Sequence, residues 1–240
     1  QNLKDEDYIN AHYVIMATKK GQVKKTSLEQ YSRPRTNGIN AITIREGDEL
    51  LEAKLTTGES QVMLALKSGK AIRFEEAKTR PMGRGASGVR GITLRQQDDA
   101  VIGMISVNDM ESNILVVSEN GYGKRSSLED YRITNRGGKG VKTISITEKT
   151  GHLVSIKNVT DEDDLMIINK SGIAIRMAVE DLRVMGRATQ GVKLINLKGN
   201  DSIAAVAKVM KEETSEEEAS IVTDTETSEN QSNSSDEQPN

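Results

Sequence analysis

The residues here that could do chemistry are basic, and they recur. Three stretches carry Arg-x3-Arg-x3-Gly: Arg80, Arg84 and Gly88; Arg132, Arg136 and Gly140; Arg183, Arg187 and Gly191. Two residues past each of these glycines stands Arg90, Lys142 or Lys193. Lys25, Arg73, Arg125 and Arg176 form a further set, each four residues past a glycine (Gly21, Gly69, Gly121, Gly172). The first stretch is two residues shorter and offers Arg33 and Arg35, with Asn40 at the address of Arg90. Lys139 adds a base just before Gly140. A duplex carries one negative charge per roughly 1.7 Å of axis, so cations repeated at one structural address make a suitable track for it. No aromatics are interleaved with these bases, which disfavours single-strand stacking. No recognition helix is visible, which disfavours sequence reading in a groove. Backbone contact with DNA bending is the expected mode. For any one of these bases the alternative is a solvated strand edge that blunts edge pairing; the equivalence of the sets favours phosphate.

Other chemistries fit less well. The chain has no Cys, which excludes disulfides, thiolate zinc sites and Cys nucleophiles. His12 and His152 each lie among polar neighbours and read as surface residues. Gly83-Arg84-Gly85-Ala86-Ser87-Gly88 matches the dinucleotide fingerprint, but a β-alternating segment follows it where the fingerprint needs a helix. Asp161-Glu162-Asp163-Asp164 lacks calcium-loop spacing and reads as a polar turn. No catalytic residue, metal or cofactor is expected. No apolar run approaches the roughly 18 residues of a membrane span, and nothing at the start reads as a signal peptide.

The net charge of −3 is split. Residues 211–240 hold one base and ten acids, a charge of −9, while residues 1–210 hold 32 bases and 26 acids, a charge of +6. The acidic segment is rich in Ser, Thr, Asn and Glu and is expected to be disordered. Tied to a basic body, it would be either a competitor for the polyanion or a solubilising tail.

The elements that must position the bases are repeats. Four short apolar runs end in a polar pair and a glycine: Val14–Gly21, Met63–Gly69, Leu115–Gly121 and Met166–Gly172, with glycines 48, 52 and 51 residues apart. A second motif keeps the same period: Gly38–Ile44, Gly88–Leu94, Gly140–Ile146 and Gly191–Leu197, with glycines 50, 52 and 51 apart. The first motif with the residues after its glycine predicts a hairpin. The second alternates apolar and polar as a half-buried strand does. A fourth strand follows in Leu50–Leu55, Val101–Ile105, Leu153–Ile156 and Ile203–Ala207. Single helical turns are expected at Ser27–Tyr31 and Ser127–Tyr131. Four strands per unit of about 50 residues is propeller arithmetic. Packing of sheet on sheet explains a composition of 35% hydrophobic but only 2% aromatic residues. The predicted order is a lead-in at 1–12, blades at 13–59, 60–111, 112–163 and 164–210, and the tail at 211–240.

The third repeat carries a specific resemblance. Gly121-Tyr122-Gly123-Lys124-Arg125, Asp130-Tyr131-Arg132 and Asn135-Arg136-Gly137-Gly138-Lys139-Gly140-Val141-Lys142-Thr143 are similar to the C-terminal domain of the DNA gyrase A protein. Arg80-Pro81-Met82-Gly83-Arg84 and Gly88–Arg95 look like the same family, and the likeness runs through all four repeats. It implies an all-β β-pinwheel, a propeller-like open disc of usually six blades that wraps duplex DNA on its basic rim. The family's box motif, Gln-Arg-Arg-Gly-Gly-Lys-Gly, has only a degenerate counterpart here, Thr134–Gly140. The resemblance therefore implies the last four blades, a fragment with the box and the strand-breaking domain upstream. It further implies, as partners, duplex DNA, the rest of the gyrase A protein and the gyrase B protein, with a monomeric fragment and a bacterial cytoplasmic location. The corresponding domain of topoisomerase IV and a propeller-like protein-interaction scaffold are the alternatives.

Overall fold

The computed structural model describes residues 3–211; residues 212–240, which hold the acidic tail but for Lys211, lie outside the described residues. The described residues up to Val209 form one compact unit. Among the described residues no helix is long and apolar enough to cross a membrane.

A short helix, α1 (Glu6–Ala11), capped by the Asp5 side chain, leads into the first hairpin, β1 (Tyr13–Thr18) and β2 (Gln22–Ser27). Next come β3 (Leu50–Thr56), β4 (Gln61–Leu66), β5 (Lys70–Glu75), β6 (Val89–Arg90) and β7 (Val101–Val107). Then follow β8 (Asn113–Ser118), β9 (Tyr122–Ser127), β10 (Val141–Lys142) and β11 (Leu153–Val159). The chain closes with β12 (Asp163–Asn169), β13 (Ala174–Ala178), β14 (Val192–Lys193) and β15 (Ile203–Met210). Short 3₁₀ turns follow the first three hairpins at Leu28–Tyr31, Glu76–Lys78 and Leu128–Asp130. The all-β, propeller-like architecture expected from the repeats is the one observed.

The sheets run in the orders β3-β1-β2-β6, β10-β5-β4-β7, β11-β8-β9-β14 and β13-β12-β15. Each of the first three thus receives its fourth strand from the following repeat. This differs from the expectation that each unit builds its own four strands. The second motif contributes only a two-residue strand, paired across the repeat boundary: Val23 with Val89, Ala71 with Val141, and Gly123 with Val192. Gly38–Ile44 forms no strand, because the described residues hold no preceding sheet edge to accept it.

The donated strands explain the second-motif glycines. Gly88, Gly140 and Gly191 have φ of 90°, 69° and 81°, and an added Cβ would stand 2.5–2.7 Å from the carbonyl oxygens of Val23, Ala71 and Gly123. The backbones approach too closely for any side chain. Gly140→Ala should therefore lower stability by about 1–3 kcal/mol through left-handed strain and the clash. Gly85→Ala, where an added Cβ meets nothing within 4 Å, should be near neutral. Urea midpoints of the two variants check this; equal midpoints would refute the close approach.

Between sheets the side chains alternate. Along β8, Ile114 and Val116 face the second sheet, whereas Leu115 and Val117 face the fourth. Along β4, Val62, Leu64 and Leu66 join the core with the first sheet, and Met63 and Ala65 the core with the third. A strand covered on both faces reads as an unbroken apolar run, which is why the first motif lacks polar alternation.

Candidate nucleic-acid interface

The predicted bases divide into three groups. Arg33, Arg35, Arg80, Arg90, Arg132, Lys139, Lys142, Arg183 and Lys193 are exposed. Arg90, Lys142 and Lys193 sit on the donated strands, facing Gln22, Lys70 and Tyr122 across the register. Pairing to the preceding sheet fixes the backbone of these three cations.

Arg84, Arg136 and Arg187 are half-buried and share one geometry. Arg136 donates from Nε to the Lys78 carbonyl at 3.0 Å and from Nη1 to the Arg90 carbonyl at 3.0 Å. Arg187 does the same one repeat on, to the Asp130 carbonyl at 2.9 Å and the Lys142 carbonyl at 2.7 Å. Arg84 makes the counterpart contact to the Asn40 carbonyl at 3.4 Å, while its backbone N–H donates to Gln30 Oε1 at 3.1 Å. Each arginine is thus shared between its own loop and the preceding repeat, and Arg136 and Arg187 bind the backbone of the exposed Arg90 and Lys142. A guanidinium has five N–H donors, so donors remain for a phosphate.

The hairpin set corrects the sequence reading. Lys25, Arg73 and Arg125 do not line an exposed face; they are 4%, 8% and 7% exposed. Arg73 donates to Gln61 Oε1 at 2.6 Å and to the Leu128 and Tyr131 carbonyls at 2.7 and 2.9 Å. Burial pushes its pKa down. Arg125 binds the Leu182 carbonyl and pairs with Asp161. Lys25 lies over the Tyr13 ring at 5.0 Å, donates to the Glu76 carbonyl at 3.3 Å and stands 3.7 Å from its carboxylate. In each case the carbonyls belong to the next repeat, whose chain also forms a parallel bridge to the base: Pro81 to Lys25, Ile133 to Arg73 and Val184 to Arg125. These three bases join repeats. Arg176, at the same address in β13, stays exposed and is ion-paired with Asp164 at 2.7 Å.

Two cations that the sequence reading did not single out are the deepest of all. Lys24 and Lys124 are 0% and 1% exposed. Lys24 Nζ donates to the carbonyls of Ala41, at 2.5 Å, and Arg84. Lys124 Nζ donates to the Gly186 carbonyl at 2.6 Å and Thr189 Oγ1 at 3.1 Å. Burial, with Arg187 adding to it and Asp130 opposing, pulls Lys124 down to about 8. Tyr131 is buried against the Thr143 hydroxyl, and burial pushes its phenol up to about 12. The available signal was a lysine where two aligned repeats carry Ile72 and Ile175.

With that geometry in hand, the comparisons are specific. The family model described as the DNA gyrase C-terminal domain, beta-propeller, matches residues 12–57, 62–108, 112–160 and 163–210.

The chain belongs to the DNA gyrase C-terminal domain family.

Its four matched segments begin near β1, β4, β8 and β12. The DNA gyrase A protein of Staphylococcus aureus (strain NCTC 8325 / PS 47) is 44% identical over 226 residues, covering 93% of this chain and 25% of that protein. This gyrase-family chain thus spans about a quarter of the length of that relative. Among solved structures, a DNA gyrase A C-terminal domain aligns with a TM-score of 0.75 at 25% identity, over 86% of this chain and 68% of that one. A C-terminal domain of DNA topoisomerase IV aligns with a TM-score of 0.81 at 23% identity, over 92% of this chain and 69% of that one; at that identity the likeness speaks for the fold alone.

Proposed function

We propose that this chain binds duplex DNA without reading its sequence, bends it and wraps it chirally, in support of negative supercoiling by DNA gyrase, a type IIA topoisomerase. The observation that carries this is the recurrence of one cationic arrangement at three repeat boundaries. An exposed arginine (Arg80, Arg132, Arg183) stands four residues before a half-buried one (Arg84, Arg136, Arg187), with an exposed base on each donated strand (Arg90, Lys142, Lys193). Arg33, Arg35 and Lys139 extend the set. Charges fixed to backbone rather than to flexible loops favour contact with a bent duplex, where phosphates must stay in register. The partners in this reading are the remainder of the gyrase A protein together with the gyrase B protein. The isolated chain is a monomer, and the location is the bacterial cytoplasm, at the chromosome. The 44% identity to a gyrase A protein favours gyrase over topoisomerase IV.

Ligation of nicked circular DNA with the chain bound tests the wrap. Binding should shift the linking number, and Arg136→Ala with Arg187→Ala should shrink the shift more than it weakens initial binding. Contacts late along the track form only after bending, and each lost charged hydrogen bond removes about 1–3 kcal/mol. An unchanged shift at equal occupancy would move the track elsewhere.

A further inference from the structure

We propose that Lys24 and Lys124 are positioning residues for the DNA-contacting loops: each ammonium, buried within one blade, fastens the backbone of the arginine loop that the next repeat lays over it. This rests on the DNA-binding reading and adds residues that touch no DNA.

The geometry repeats. The Lys24 ammonium holds the carbonyl of Arg84 itself, and also Ala41 in the loop of its own repeat. The Lys124 ammonium holds the carbonyl of Gly186, next to Arg187, and the Thr189 hydroxyl. These acceptors lie 60, 62 and 65 residues away for Arg84, Gly186 and Thr189. A solvated surface lysine would offer its charge to DNA directly; these are sealed beneath the loops and act only through them. Charge-assisted donors to carbonyls are stronger than neutral ones, and the loops they fasten contain glycines that would otherwise leave the backbone loose.

The second blade is the natural contrast. Its residue at this address is Ile72, and the loop above is Asn135-Arg136-Gly137-Gly138-Lys139. With no lysine beneath it, that loop has a bond from Gly137 N–H to the Gly91 carbonyl at 2.6 Å, whereas its bond from Thr93 N–H to the Gly138 carbonyl at 2.8 Å recurs in the lysine-held loops as Thr43 N–H to the Ala86 carbonyl at 3.3 Å and Ser145 N–H to the Thr189 carbonyl at 3.1 Å. An added Cβ on Gly138 would stand 3.3 Å from Ile72 Cδ1. A cleft of about 430 Å³ lies here, with Ile72, Arg132 and Lys139 in its walls. The repeats thus hold the same loop in two ways, and isoleucine at this address is compatible with the fold.

The test compares the 240-residue chain with its Lys24→Ile/Lys124→Ile variant. Without DNA, amide hydrogen exchange in residues 84–88 and 186–191 should quicken at least about tenfold, the loss of one charged hydrogen bond, while strand amides of β8 keep their protection. Duplex affinity at low salt should fall about tenfold, because looser loops must be ordered on binding. The slope of log affinity against log salt should stay the same, because a buried ammonium neutralises no phosphate. A slope shallower by about two would mean that both lysines touch DNA and would overturn the proposal. Unchanged loop exchange, or faster exchange with unchanged affinity, would overturn it equally. If the unmutated chain fails to bind duplex DNA, the functional reading falls, and the exchange data still decide whether the lysines fasten the loops.

Lys24→Met and Lys124→Met keep most of the stem and carry the same test should the isoleucine variant not fold. A pH series adds a check on the unmutated chain. The charged groups that act on Lys124 are Asp130 and Arg187. As pH rises through about 8 the Lys124 ammonium discharges, and protection factors in 186–191 should fall. Global stability should move the other way, because above that pH the unfolded chain binds the extra proton. Protection that stays flat across this window would count against the proposal.

Discussion

Raising salt from about 50 to about 200 mM should weaken duplex binding by this chain about a thousandfold. Neutralising roughly six phosphates gives a slope of log affinity against log salt near −5. The nine exposed bases of the loops and donated strands, with half-buried Arg84, Arg136 and Arg187, provide more than enough cations for six contacts. Affinity should vary little among duplexes of different sequence, since no described helix exceeds the six residues of α1 and phosphate contacts carry no sequence information. A mobility-shift titration at several salt concentrations measures both. Salt-independent binding, or none at low salt, would remove the DNA reading and promote the protein-interaction scaffold.

Arg73→Ala should destabilise the fold by about 3–5 kcal/mol, since three acceptors lose their donor at a cost of about 1–3 kcal/mol each. The variant strands the Leu128 and Tyr131 carbonyls and Gln61, all of which Arg73 now satisfies. Arg73→Lys should recover little, since a single ammonium cannot reproduce the guanidinium fork that spans two carbonyls and an amide. Arg132→Ala, at an exposed position of the same region, should change stability by less than about 0.5 kcal/mol while weakening DNA binding. Urea unfolding of the three variants separates the roles. A stable Arg73→Ala chain with a shallower salt slope would return the hairpin bases to the DNA track.

The contrast between Arg73 and Arg132 marks the boundary of what the sequence determined. The hairpins were legible because their signals are local: an apolar run of strand length, then a polar-glycine turn, four times over. So was the fourth strand of each unit, from β3 (Leu50–Thr56) to β15 (Ile203–Met210). The period itself disclosed a repeat fold, since two motifs held one spacing. The equivalence of Arg84, Arg136 and Arg187 was also legible, and the structure gives Arg136 and Arg187 the same pair of carbonyls and Arg84 one counterpart contact.

Only the tertiary structure decided which repeat each strand serves and which cations meet solvent. Val89–Arg90, Val141–Lys142 and Val192–Lys193 read as parts of their own units, but they close the sheets before them. Lys25, Arg73 and Arg125 read as surface bases because basic side chains normally stay in water. They are buried because the next repeat brings its carbonyls to them, and Lys24 and Lys124 are buried for the same reason. Strand formation and turning depend on neighbours a few residues away, so the chain spells them out. Burial of a charge depends on acceptors some 50 to 65 residues distant, supplied by how one repeat docks on the last. The energy of a buried cation is set by that docking, and the residue type alone does not contain it.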